Sequence, residues 1–227
     1  MTRPFIIIAA MVFAAASHAS SPAGRGDARA ALWAALKNGD HVVLLRHTET
    51  VPGIGDPPGY KLDDCKTQRG LNDAGRAQAR AWGKAFARHN IPVGGVFSSV
   101  WCRCMETARI AFGKVDTWPA LNSHFDSPQS AALQAEQTRG GIPVRMQNGK
   151  NLVLVTHQVN ITALSGRAPA MGEAMIMRHD GTAWQLVGQW TAEKGTAGNE
   201  ASCRLLCPTD PKKKKKKRPA PWCRPHR

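Results

Sequence analysis

Apolar positions along the chain fall into runs of two kinds. Short continuous runs, Val42-Val43-Leu44-Leu45, Val93-Gly94-Gly95-Val96-Phe97 and Leu152-Val153-Leu154-Val155, have the length of strands buried on both faces. Between them lie segments of helical character. Asp27 caps a helix through about Leu36 whose apolar stripe is Ala30, Ala31, Trp33, Ala34 and Leu36, and Gly39 ends it. Asn72 is a natural N-cap for a helix over Asp73 to His89, and another helix runs from about Trp101 to Phe112. Ser127 to Thr138 has helical composition and is broken by Arg139-Gly140-Gly141-Ile142-Pro143, while Val159 to Leu164 forms a short helix. Gly172 to Arg178 and Trp184 to Trp190 read as a closing hairpin around Asp180-Gly181. Strands that alternate with helices predict an α/β fold, a three-layer α/β/α sandwich with a mostly parallel central sheet.

Polar residues enter this pattern abruptly at two strand ends. Val42–Leu45 runs into Arg46-His47-Thr48-Glu49-Thr50, and Leu152–Thr156 runs into His157-Gln158. Ligands of open α/β sheets bind at the C-terminal ends of strands, so these two histidines are expected to face one another across one pocket. Between them, Ser98-Ser99-Val100-Trp101-Cys102-Arg103-Cys104-Met105-Glu106-Thr107-Ala108 places a further arginine at the start of a helix. Residues Val51 to Asp64, rich in Pro, Gly and Asp, read as a loop over that pocket, able to carry substrate contacts.

The ordered set Arg46-His47, Arg103 and His157 resembles the histidine phosphatase superfamily, which includes cofactor-dependent phosphoglycerate mutases and histidine acid phosphatases. The resemblance runs from about His41 to about Trp190. It implies a phosphoglycerate-mutase-like fold, His47 as a nucleophile that becomes a phosphohistidine, Arg46 and Arg103 as a guanidinium clamp, and His157 as the second imidazole of the pocket. Thr50 and Gln158 are the expected phosphate or substrate contacts, and no cofactor or metal is implied. Planar guanidiniums and imidazolium donors suit a phosphoryl group, whose charge is spread over three equatorial oxygens during transfer. Gln68 to Ala79 looks like the family's Gly-Leu turn and first long helix, and Ser99, Arg103, Thr107 and Ala108 keep its spacing around the second arginine. Thr48 departs from the glycine that usually follows the nucleophile, and Pro52-Gly53-Ile54-Gly55 stands where mutases carry an asparagine, which disfavours a mutase. For the proton donor, Trp118 to Asp126 offers only Asp126, which reads more readily as a solvated loop aspartate.

The termini change the picture of where the chain works. Met1-Thr2-Arg3, the apolar run Phe5 to Ala16 and the Ser17-His18-Ala19 site read as a signal peptide over residues 1–19, too short to span a bilayer. A single domain is expected over 20–192, and a basic, disordered tail over 193–227. The tail carries eleven basic and three acidic residues, eight of the net +15 charges. Its Lys212–Lys217 block suits nonspecific anionic surfaces or a plain solvated tail, without specific nucleic-acid recognition. A periplasmic or secreted location follows, and with it a disulfide from Cys65 to Cys102 or Cys104; the remaining cysteines, Cys203, Cys207 and Cys223, lack metal spacing. The function expected is a phosphomonoesterase acting on a small-molecule or lipid-linked phosphate ester. A silent phosphate- or lipopolysaccharide-binding domain is the alternative, with a phosphomutase behind it.

Overall fold

Six strands form one sheet in the order β3-β2-β4-β1-β5-β6 in the computed structural model, which describes residues 22–192. The expected signal peptide, the basic tail and Cys203, Cys207 and Cys223 lie outside the described residues. β1 (Val42–Arg46), β2 (Val93–Ser98), β3 (Asp116–Thr117) and β4 (Asn151–Thr156) run parallel to one another. β5 (Glu173–His179) and β6 (Trp184–Thr191) add the antiparallel hairpin beside β1. Alternation decides the layers. Val43 and Leu45 of β1 pack with α1 (Pro22–Lys37), α2 (Asp73–Arg88) and α3 (Cys102–Phe112), around Trp33, Trp82 and Cys104. Val42 and Leu44 face the other way, toward Ile142 at the end of α4 (Ala131–Gly141) and Ile161 of α5 (Gln158–Ser165). The four apolar side chains of β1, Val42 to Leu45, are buried, as a continuous apolar run in a two-sided sheet requires. The architecture is therefore the mixed α/β sandwich expected from the sequence, with helices on both faces of a mostly parallel sheet.

Local signals account for some element ends, although Asp27, expected as a cap, lies inside α1. The Asn72 side chain accepts the Gly75 N–H at 2.7 Å and caps α2, while Gly166, left-handed at φ 71°, ends α5. α4 departs from the expected break: it begins only after a 3₁₀ turn at Pro128–Ser130 and continues through Gly140 and Gly141. Packing overrides propensity there, because a Cβ on Gly141 would overlap the Trp118 ring, so the glycine lets the helix end lie against that indole. The helix stops at Pro143, which begins a 3₁₀ turn. β3, a two-residue edge strand, had no hydrophobic signature of its own; both its residues are exposed.

Candidate active site

The register of two adjacent strands builds the centre of the site. Arg46 of β1 pairs with Thr156 of β4, so the next residues, His47 and His157, leave the sheet at the same level. Their rings meet edge to face with centroids 5.6 Å apart. β2 borders β4 on its other side and ends at Ser98, and the Oγ of the following Ser99 lies 2.9 Å from His157 Nε2.

Hydrogen-bond chemistry fixes both tautomers. His47 Nδ1 lies 3.0 Å from the Thr48 carbonyl, which can only accept, so Nδ1 carries the proton and Nε2 keeps its lone pair. His157 Nδ1 lies 3.5 Å from Arg103 Nη2, which can only donate, so here the proton resides on Nε2. From Nε2 a relay continues: His157 donates to Ser99 Oγ, and the Ser99 hydroxyl donates to Asn122 Oδ1 at 3.3 Å.

Burial, followed by the charge on Arg103, pushes His47 down to about 3, and the Thr48 carbonyl only partly offsets this. His157 lies well below the ordinary imidazole range, through burial first and then the neighbouring His47 and Arg103. Both imidazoles are therefore neutral at physiological pH.

Three guanidiniums surround these rings. Arg46, Arg69 and Arg103 line the same cavity of about 340 Å³ as His47 and His157. Each is anchored at one nitrogen. Arg46 Nη1 donates to the Pro169 carbonyl at 2.8 Å, Arg69 Nη1 to Thr50 Oγ1 at 2.7 Å and the Gly53 carbonyl at 2.9 Å, and Arg103 Nη1 to Asp56. The Nε–H of all three is buried with no acceptor among the described residues. Unmatched buried donors on three cations are costly, and an anion is the kind of partner their charge favours.

Asp56 is the acidic member of this group and escaped the sequence reading, which saw only a loop. Its Oδ1 and Oδ2 accept from Arg103 Nη1 at 2.7 and 2.9 Å, Oδ1 also accepts the Arg69 backbone N–H at 2.9 Å, and Oδ2 accepts the Trp101 indole N–H at 3.0 Å. Burial alone would raise this carboxyl, but the Arg69 N–H, the Arg103 guanidinium and the Trp101 indole together hold it below the usual carboxylate range. With Nη1 tied to Asp56 and Nη2 near His157 Nδ1, Arg103 is left with its Nε–H and the second Nη2–H to present. A disulfide between Cys65 and Cys102 ties the end of the same loop to the residue before Arg103, leaving Cys104 buried and free. Burial pushes the Cys104 thiol up to about 12, so it stays protonated beside His157.

The remaining expected residues divide. Gln158 and Asp126 line the cavity, and both are exposed. Thr50 is not among its lining side chains; it sits behind Arg69 as that guanidinium's acceptor. Thr48 is wholly buried, and its N–H donates at 3.1 Å to the Thr107 hydroxyl of α3, so it joins the His47 strand to the Arg103 helix. Arg69 had been read only as part of a turn. That turn is drawn to the site by the bridge between Thr50 and Leu71.

A family model described as histidine phosphatase superfamily (branch 1) matches residues 42–126, a span that includes Arg46, His47, Arg69 and Arg103 and stops short of His157. No curated protein sequence matches. Among solved structures, YhfR of Bacillus stearothermophilus is similar at 17% identity, with 64% of this chain and 94% of that chain covered and a TM-score of 0.50. Rv3214 of Mycobacterium tuberculosis is similar at 18% identity, with 67% and 97% covered and a TM-score of 0.51. A phosphoserine phosphatase variant of Entamoeba histolytica in complex with phosphoserine is similar at 12% identity, with 68% and 98% covered and a TM-score of 0.51. The structural likenesses establish the fold, and over residues 42–126 the chain is similar to the histidine phosphatase superfamily.

Proposed function

We propose that the protein is a phosphomonoesterase in which His47 Nε2 accepts the phosphoryl group. One observation carries this reading: a neutral imidazole with Nδ1 committed to a carbonyl shares its cavity with three guanidiniums whose Nε–H groups have no acceptor among the described residues. The Nε2 lone pair attacks phosphorus, the P–N bond forms and the P–O bond to the leaving group breaks. Arg46, Arg69 and Arg103 neutralise the equatorial oxygens as charge shifts onto the bridging oxygen. The Thr48 carbonyl stabilises the positive charge that His47 acquires.

His157 faces Arg103 with a lone pair in the free protein. An arriving phosphate dianion favours its imidazolium, whose Nδ1–H then donates to a phosphoryl oxygen. The leaving alkoxide takes a proton from Asp126. Of the two carboxylates lining the cavity, Asp56 has both oxygens engaged by three groups, and Asp126 is exposed. Water then attacks the phosphohistidine, with Asp126 as base, breaking the P–N bond and releasing phosphate.

The test is a quenched reaction with a radiolabelled aryl phosphate. Acid-labile label on the wild-type protein and none on His47→Ala is the expected result. Label retained by His47→Ala would assign the nucleophile elsewhere. Absence of both label and turnover in the wild type would leave the cavity a phosphate-binding site.

A further inference from the structure

The cavity that holds the guanidiniums changes character toward its mouth. Ile54, 91% exposed, and Phe125, 55% exposed, both line it, together with Met171 and Val159. Single exposed apolar residues are ordinary, but here two large ones come from separate segments, the 51–64 loop and the stretch before α4, and meet at one opening. The Trp101 indole forms part of the wall, and its only polar atom is already engaged by Asp56. Ser123 Oγ accepts the Phe125 N–H at 3.2 Å. A polyol leaving group requires hydroxyl-matching partners on every side, because each hydroxyl desolvated without one is penalised. An apolar leaving group requires only surface to cover, which Ile54, Phe125, Met171 and Val159 supply on one part of the mouth, while Ser123, Asp126 and Gln158 line the rest.

We propose that the substrate is a phosphate monoester of a small apolar alcohol, alkyl or aryl, in preference to a sugar phosphate or a phosphorylated hydroxy amino acid. The proposal rests on the phosphomonoesterase reading, since it places the phosphoryl group among Arg46, Arg69 and Arg103 and the leaving group against Ile54 and Phe125. A volume of about 340 Å³ suits a small ester, being near the lower end of ligand pockets, roughly 300 to 1,000 Å³.

Two series on the purified full chain test it. In the first, kcat/KM is measured for n-alkyl phosphates from ethyl to hexyl, whose leaving-group alcohols are nearly equal in acidity. The expected rise is about twofold to fourfold per methylene until the chain outgrows the mouth, and propyl phosphate exceeds glycerol phosphate by on the order of tenfold. In the second, calorimetry measures binding of the matching n-alkylphosphonates, which cannot be hydrolysed. The affinity gain per methylene follows the same range, and Ile54→Asn and Phe125→Asn flatten it. Turnover with no dependence on chain length in either series overturns the apolar mouth and leaves the phosphatase reading intact. A chain-length dependence in phosphonate binding without turnover of any ester sustains the apolar mouth and removes the phosphatase reading. A wild-type slope unchanged in both variants also overturns the proposal.

Discussion

Keeping His47 neutral makes the fold sensitive to acid by an amount that the structure sets. Its ring is 3% exposed and its pKa is pushed down to about 3, against 6.5 for the freely solvated side chain. Between those values the unfolded chain binds a proton that the folded protein refuses, so stability is complete above the unfolded value and is lost as pH falls through the window. At about pH 5 the unfolded-state protonation of this one imidazole favours unfolding by about 2 kcal/mol, whereas at about pH 7.5 its effect is under about 0.1 kcal/mol. The perturbation is His47→Asn, which removes the titrating group and retains a polar side chain. Urea unfolding of wild type and variant at both pH values gives four free energies. The wild type should lose about 2 kcal/mol more than the variant on acidification, whatever the variant's own stability. Equal losses in the two proteins would show that His47 titrates normally in the fold, and the lone-pair nucleophile would then need another explanation. His157, lowered by burial and by its neighbours, acts in the same direction and should be separable by His157→Gln.

Asp56→Asn should tighten inorganic phosphate binding, by removing an anion that competes for Arg103, and lower kcat by about tenfold or more, by releasing the guanidinium edge that it orients; steady-state inhibition and turnover measure the split, and a parallel loss of both would refute the orienting role. Binding of vanadate or phosphate should be accompanied by proton uptake near neutral pH, seen as a buffer-dependent calorimetric enthalpy, and His157→Gln should abolish that dependence. Removing the Cys65–Cys102 bond with a paired Cys→Ser variant opens a sequence separation of 37 and should cost about 4 kcal/mol in urea unfolding, with Cys104 unreactive toward alkylating reagents in either protein.

The candidate site was legible because its polar residues stand at the ends of apolar runs. His47 and His157 each follow a strand with no other interpretation, and strand pairing brings them together without any contribution from loops. Asp56 was not legible. The loop that carries it also contains Asp63 and Asp64, and nothing periodic tells which acid folds back onto Arg103. Arg69 was hidden for a related reason: it belongs to a turn whose position depends on the bridge from Thr50 to Leu71, a long-range pairing that local pattern does not encode. The course of α4 through Gly140 and Gly141 was misjudged because glycine propensity is a weak term beside a helix end packed on Trp118.

The register between β1 and β4 has a further consequence for how such a protein can be altered. On the proposed reading the groups that handle phosphorus are Arg46, His47 and His157, and these are fixed by main-chain pairing in the most buried strands. Ile54 and Phe125, proposed to meet the rest of the substrate, sit on surface segments that take no part in that pairing. Chemistry and selectivity are thus carried by separate, interchangeable parts. Replacing the tip of the 51–64 loop ahead of Asp56 can redirect the protein toward a different alcohol without retuning the nucleophile.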